Sequence, residues 1–212
     1  MTKAKYIPAL ALFALLSGQA SAHPHSFIAM RSELVASGGS LTAVNMRWTM
    51  DEITSADLLY DAGNAKPGDE IWKKLAAEVM ANVLGQHYFT EIWRGGKKVK
   101  FENRPSAYAL AREGHKAVLT FTLPLAVPQP LAAASYAFAT FDPTYFVDMH
   151  YDRDADVTLG PGFPAGCTLK VVTPKPNENL TAYALSLDKA DAPPEDMDLG
   201  KQFAQQVNLT CQ

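Results

Sequence analysis

The chain has 212 residues, and its 19 Lys and Arg against 22 Asp and Glu give a net charge of −3 at neutral pH. This length is enough for one substantial hydrophobic core, or for two small cores that share an interface. The mild acidity and the lack of a basic stripe argue against a nucleic-acid partner. Beyond the amino-terminal run described next, no apolar segment is long enough to span a bilayer.

The first 22 residues have the anatomy of a secretory signal peptide. Lys3 and Lys5 precede an apolar run at residues 7–16, and the small-residue site Ala-Ser-Ala follows at residues 20–22. Cleavage after that site leaves 190 residues that begin with His23 and carry a net charge of about −5. We therefore expect an exported protein of the periplasm whose residues 23–212 form a single domain, with two sub-lobes as the alternative.

The mature chain opens with patterns typical of a hairpin followed by helices. Residues 26–36 and 41–50 are extended, partly alternating runs around Gly38 and Gly39, which predicts a β-hairpin. A short helix is expected at residues 51–60, capped by Asp51 or by the Thr-Ser pair that follows. A longer helix is expected at residues 70–84, because its apolar residues recur at helical spacing. Asp69 and Gly85 are suited to cap and stop this second helix.

The rest of the chain is again mostly strand-like. Gly-containing turns separate two further predicted hairpins, and prolines 124, 128 and 130 predict a loop after them. The expected strands are 88–93, 98–101, 107–112, 116–123, 134–141 and 168–172, and a third helix is expected at 179–187. The predicted fold class is α+β: a mainly antiparallel sheet built of hairpins, with one or two helices inserted after the first hairpin.

Two cysteines, Cys167 and Cys211, remain in the mature chain. An even count in an exported chain predicts a disulfide, which here ties the carboxyl-terminal tail to the body. A pair of thiolate metal ligands is the alternative, which an oxidising compartment disfavours.

Several short motifs, taken in order, resemble one bacterial family. They are HPHSFI at 23–28, RWTMDE at 47–52, FTLPL at 121–125, FDPTYFV at 141–147, and the two cysteines. Together they are similar to domain-of-unknown-function family 1007, described as the periplasmic component of an uncharacterised ABC-type transport system. Its members are often encoded near nickel/cobalt efflux-type permeases. The resemblance covers essentially the whole mature chain and implies the handling of transition metals, with an inner-membrane metal permease or ABC-type transporter as partner.

The new chain start has the chemistry of a metal site. Cleavage places a free α-amine beside the imidazole of His23, with His25 two residues further on. The amine and imidazole have pKa values near neutrality, and these nitrogens suit Zn, Cu, Ni or Co. Pro24 has no amide proton, so coordination must use the amine and side chains rather than that amide. On a strand, His23 and His25 point to one face. The alternative is a frayed, solvated terminus with two incidental histidines.

The ligands that complete this site are predicted from the acidic segment at residues 141–156. His150 is the preferred third histidine, and an extended segment places Asp148 on the same face. Asp142 and Asp51 are weaker candidates, since Asp142 precedes a proline and suits a turn, whereas Asp51 suits a helix cap. A solvated loop with a surface histidine is the alternative for the whole segment.

These observations support three functional hypotheses. The first is a periplasmic transition-metal-binding accessory or substrate-binding protein of a metal transport system, with the metal's identity left open. The second is a copper-dependent oxidative enzyme that uses His23 as an amino-terminal brace, and the third is a metal-free permease adaptor. No nucleophile elbow, phosphate-binding glycine loop, H-E-x-x-H helix or C-x-x-C pair is present, so no catalytic or organic-cofactor residue is predicted.

Overall fold

The structure is a computed structural model that describes residues 24–187 and 193–212. The described part of the chain forms eleven strands and four α-helices, with strands and helices interleaved along the sequence. In chain order they are β1 (Ser26–Ser37), β2 (Ser40–Met50), α1 (Glu52–Ala62), α2 (Glu70–Gly85), β3 (Thr90–Arg94), β4 (Lys97–Val99), β5 (Ala107–Glu113), β6 (Lys116–Pro130), β7 (Ser135–Thr140), β8 (Val147–His150), β9 (Val157–Leu159), β10 (Cys167–Val172), α3 (Glu178–Ser186), α4 (Leu199–Phe203) and β11 (Gln206–Cys211).

The strands form two sheets, and most neighbouring strands are antiparallel. The first sheet has the order β5-β6-β2-β1-β8, and β9 also pairs with β1. The second has the order β10-β11-β7-β3-β4. Within the first sheet, β8 and β9 run parallel to β1. The predicted α+β class with a mainly antiparallel arrangement is confirmed, and two helices follow the first hairpin as expected.

The first hairpin supplies two inner strands of the first sheet. β1 and β2 pair from Ile28–Met50 to Ser37–Ser40, and the turn uses Gly38 and Gly39 at φ 56° and 72°. Glycine occupies this left-handed region without the clash that a Cβ would cause. Alternate residues of both strands are buried, which is the period-2 pattern of a sheet with one face on the core.

The core joins both sheets and the first two helices. Trp48 on β2 is 1 % exposed and meets Phe121 edge-to-face, with the ring centroids 4.8 Å apart. Ile92 and Phe138, from the second sheet, belong to the same buried cluster. Burial of such large side chains contributes about 2 to 3 kcal/mol each. A second, smaller cluster gathers residues of α3 and α4 around Leu199.

The two inserted helices begin where the sequence predicts. Asp51 caps α1, and its side chain accepts a hydrogen bond from the Thr54 amide. Asp69 precedes α2 but makes no side-chain cap bond to it; its carboxylate instead accepts from the Lys66 amide at 2.8 Å. The expected stop at Gly85 is one residue early, because α2 includes Gly85 and its cap is Gln86.

The predicted proline loop is wrong. β6 continues through Pro124 and Pro128 to Pro130, and it pairs with β2 as far as Ser40. The pairing register shifts between Leu41 and Ala43, next to Pro124. Prolines lack an amide donor and are tolerated in strands at bulges and edges, which is where these residues lie.

The disulfide prediction is confirmed. Cys167 and Cys211 are bonded, and they occupy directly paired positions on β10 and β11. Both sulfurs are therefore unavailable as thiolate metal ligands, so that alternative is wrong. Across the described ranges, no helix combines the length and the apolar character needed to cross a membrane.

Candidate metal centre

The predicted ligand segment is extended and joins the strand that begins the described chain. β8 pairs in parallel with β1, so Ser26 faces Val147 and Ala29 faces His150. Just before this ladder, the His25 amide donates to the carbonyl of Phe146 at 2.9 Å. The amino-terminal histidine segment is therefore fixed along the outer edge of the first sheet.

The strand alternation decides which side chains share a face. Ile28 on β1 and Met149 on β8 are buried against the core. Because neighbouring residues of a strand point to opposite faces, His25 shares the outer face with Asp148 and His150. Phe27, on this same face, is 44 % exposed, whereas His25, Asp148 and His150 are partly buried. The structure thus confirms the expectation that an extended segment puts Asp148 and His150 on one side.

Distance separates the two histidines. His25 precedes Ala29, the partner of His150, by four residues. At about 3.3 Å per residue along the strand and 4.8 Å between strands, the Cα atoms of His25 and His150 are about 14 Å apart. Two imidazoles cannot reach one ion across that span. Asp148 lies between them, with its Cα about 8 Å from that of His25.

His150 sits between two carboxylates. Its Nδ1 lies 3.5 Å from Oδ2 of Asp148, and its Nε2 lies 3.4 Å from Oδ1 of Asp152. The Asp148 carboxylate beside Nδ1 raises the pKa of His150 above its ordinary value of 6.5; burial opposes this shift, and the charge of Asp152 adds to it. The protonated imidazole and the Asp148 carboxylate therefore attract each other across this contact.

Tyr145 lies near Asp148. Its ring stacks on Phe203 with the centroids 4.2 Å apart. Burial, and secondarily the charge of Asp148, raise the pKa of Tyr145 to about 12. Without a bound metal, its phenol is therefore in the neutral form at physiological pH.

Asp51 has a structural role instead of a ligand role. One oxygen accepts from the Thr54 amide at 2.9 Å, and the other accepts from the Phe27 amide at 2.7 Å and the Thr54 hydroxyl at 2.6 Å. Burial tends to raise the pKa of Asp51, but the hydrogen bonds from Thr54 and Phe27 outweigh it and lower the pKa. The carboxylate fastens the start of α1 to the start of β1.

Asp142 is also occupied by the backbone. Its Oδ1 accepts from the amide and the hydroxyl of Thr144 at 3.0 and 2.9 Å, and its Oδ2 accepts from the Val147 amide at 3.1 Å. The carboxylate is buried and shapes the turn that leads into β8. The turn-forming role expected for an aspartate before proline is what the structure shows.

The described residues do not form a complete metal site by themselves. Within 24–187 and 193–212, no three His, Cys, Asp or Glu side chains come together in a way that could hold an ion. His23, the predicted first ligand, and the predicted signal peptide at 1–22 lie outside the described residues. The structure does place His25, Asp148 and His150 on one face, with only Asp148 and His150 in contact, and it engages Asp51 and Asp142 in backbone hydrogen bonds instead.

Asp152 is a neighbour of His150 that the predicted ligand set omits. A sequence signal for this arrangement exists, because Val147, Met149 and Tyr151 alternate with Asp148, His150 and Asp152. Strict alternation over six residues is typical of a half-buried strand. The strand can therefore be predicted from the sequence, whereas its pairing with β1 cannot.

Fold and site together define an α+β protein of two sheets that carries a histidine–carboxylate group on an outer sheet edge. The chain belongs to the family described as protein of unknown function (DUF1007), whose model matches residues 8–211. It is also similar to an uncharacterized protein of Haemophilus influenzae, strain ATCC 51907, with 35 % identity over 192 residues that cover 90 % of this chain and 92 % of that relative.

Proposed function

We propose that this protein is an exported accessory or substrate-binding protein that binds a transition-metal ion at its amino-terminal end and presents it to a membrane transport system. The metal is cargo rather than a resident cofactor. Three features support the proposal: the signal-peptide pattern, the nitrogen-rich start of the mature chain, and the carboxylate–histidine group beside that start.

The single observation that carries the proposal is the parallel pairing of β1 with β8. It fixes the His25 backbone against Phe146 and places Asp148 on the same outer face. A cation held by His25 and by the amine and imidazole of His23 has Asp148 as its nearest carboxylate on the neighbouring strand. Imidazole, amine and carboxylate donors suit Zn, Ni, Co or Cu.

His150 acts on this site through Asp148. The two side chains lie 3.5 Å apart, and His150 is too far along the sheet to share an ion with His25. Partners that orient a metal ligand typically contribute 10- to 100-fold to metal affinity. In this proposal His150 is a positioning residue, and Asp148 is the oxygen ligand.

The test begins with mass spectrometry of the mature protein purified from the periplasm. A chain that starts at His23 is then titrated with Zn, Ni, Co and Cu. We expect one reversible, pH-dependent site that is weakened by His25→Ala and by one extra residue ahead of His23. His150→Ala should weaken binding by about 10- to 100-fold. His115→Ala, in an exposed hairpin turn, is the matched control and should leave binding unchanged.

Other outcomes contradict the proposal. A mature chain that starts elsewhere, or an affinity that does not respond to blocking of the amine, removes the amino-terminal site. No binding at micromolar metal favours the metal-free adaptor. Bound copper that consumes reductant and peroxide on a polymer favours the oxidative enzyme.

A further inference from the structure

A cavity lies at the opposite edge of the first sheet from the histidines. β5 is the edge strand there, whereas β8 is the edge strand on the histidine side. The helix α2 packs against β5, and between them is a cavity of about 590 Å³, named here the α2–β5 groove. Cavities of about 300 to 1,000 Å³ are typical of sites for small molecules.

The groove has an apolar floor and one aromatic wall. Trp72 and Ala76 of α2 and Leu110 of β5 are buried beneath it. Tyr108, two residues before Leu110 on the same face of the strand, is 45 % exposed. An aromatic ring left half open beside a buried apolar floor offers apolar area that a ligand with an apolar body can cover.

All the charge in the groove lining has one sign. Lys73 and Arg112 are the charged residues among those that line it, and the described lining includes no carboxylate. Lys73 is bound at the surface to Glu70, 2.9 Å away, so Arg112 is the cation to consider.

Arg112 is held in place by carbonyl groups rather than by an acid. Its Nη2 donates to the carbonyls of Leu59 and Gly63 at the end of α1, both at 2.9 Å. A guanidinium has five N–H donors in a fixed plane, and those on Nε and Nη1 have no partner in the described part of the chain. Arg112 therefore has a fixed orientation and, with respect to the described residues, three donors without a partner at the rim of an apolar groove.

We propose that the α2–β5 groove binds a small amphipathic monocarboxylate. Its alkyl or aryl body packs on Trp72, Leu110 and Tyr108, and its carboxylate accepts hydrogen bonds from Arg112. Charge complementarity selects the anion, and the apolar floor selects a water-soluble molecule with a hydrophobic body rather than a bare inorganic anion. This site is independent of the proposed metal function and lies at the far edge of the same sheet.

The test compares octanoate with 1-octanol, which have the same chain length and differ in charge. Chemical-shift changes of backbone amides in the full mature protein locate each ligand and give its affinity. We expect both ligands to perturb residues 108–112. Arg112→Gln should weaken octanoate about fivefold and leave 1-octanol within a factor of about two, since an exposed ion pair contributes up to about 1 kcal/mol.

Two further variants keep the test decisive. Tyr108→Glu places a carboxylate at the groove without touching the bonds to α1, and it should weaken octanoate more than 1-octanol. Arg104→Gln, an exposed cation outside the lining, is the matched control and should change neither affinity.

Three results would overturn the proposal. These are shifts that map away from the groove, an Arg112→Gln effect equal for both ligands, and octanoate binding unaffected by either groove variant. Sedimentation with phosphatidylglycerol vesicles separates a soluble ligand from a membrane surface. Vesicle binding that depends on Arg112, without binding of free octanoate, would replace the proposal with membrane docking.

Discussion

At the scale of single residues, His150 shows how two carboxylates define the role of an imidazole. Asp148 is 30 % exposed and Asp152 is 70 % exposed, so the two ring nitrogens face carboxylates that differ in their exposure to solvent. The less exposed Asp148 dominates the rise in the pKa of His150. Since the folded pKa lies above the unfolded one, the pairing stabilises the native state below the ordinary value of 6.5, and this contribution is lost as pH rises through the raised pKa.

This arrangement predicts the titration of His150 directly. Its ring proton signals should titrate with a midpoint above 6.5, because both neighbouring carboxylates favour the imidazolium. Asp148→Asn should lower the midpoint, and Asp152→Asn should lower it less. Nuclear magnetic resonance from pH 5 to 9 measures each value, with Asp57→Asn on α1 as a remote control. A midpoint at or below 6.5 in the native protein would show that the pairing does not form in solution.

At the scale of elements, the short helix α4 packs against the turn at Asp142 that leads into β8. The Gly200 amide donates to the Pro143 carbonyl at 3.0 Å. A Cβ added at Gly200 would stand 1.7 Å from the Asp142 carbonyl oxygen, which is far inside contact distance. Glycine is therefore required here for close backbone approach. The contact of α4 supports the turn at Asp142. That turn leads into β8, the strand that carries Asp148 and His150.

Gly200→Ala should consequently be costly. Either the helix or the turn must move, and overpacking at a buried site costs about 3 kcal/mol. Gly85→Ala is the matched control, since a Cβ there meets nothing within 4 Å and the residue lies in a helix. That change should stabilise the protein by up to about 1 kcal/mol. Urea unfolding curves measure both, and equal stabilities for the two variants would contradict the close contact.

At the scale of the whole molecule, one disulfide links two neighbouring strands of the second sheet. The bond joins β10 to β11, and β11 continues the sheet through β7. The cysteines are 44 residues apart, and the intervening segment contains α3 and α4. In the folded protein, the ladder from Cys167–Cys211 to Val172–Gln206 already aligns the two strands. The covalent bond therefore acts mainly by restricting the conformations of the unfolded chain.

Removal of this bond should lower stability without changing the fold. The Cys167→Ala/Cys211→Ala double variant is expected to lose about 3 to 4 kcal/mol, which is the loop-closure entropy for a loop of this length. Circular dichroism should retain the strand signal, and urea unfolding should show the loss. Reduced wild-type protein should behave as the variant does. An unchanged unfolding midpoint in both the double variant and the reduced protein would mean that release of the bond does not increase the conformational entropy of the unfolded chain.

The extent of prediction from sequence follows from how local each feature is. The first hairpin, the cap at Asp51 and the alternation at residues 147–152 depend on neighbours along the chain and are visible in the sequence. The disulfide joins residues 44 positions apart, and it could be predicted because the chain has only two cysteines. The prolines predict that β6 ends at residue 123, because proline is a local strand breaker. The pairing of β6 with β2 beside a register shift overrides that rule.

Among the candidate ligands, sequence alone identified the segment that carries Asp148 and His150 but not how far they lie from His25. That separation depends on a parallel pairing between segments about 120 residues apart, whose register no local pattern specifies.

The sequence by itself determined the class of fold, the family and the presence of two cysteines, since periodicity, turn residues, short motifs and composition can be read without the tertiary structure. Only the tertiary structure decided that Asp51 and Asp142 serve the backbone, that His150 lies between Asp148 and Asp152, and that Arg112, bonded to two carbonyls at the end of α1, lies beside an apolar groove. These depend on which oxygens and amides meet across the sheets, and long-range packing alone brings such groups together.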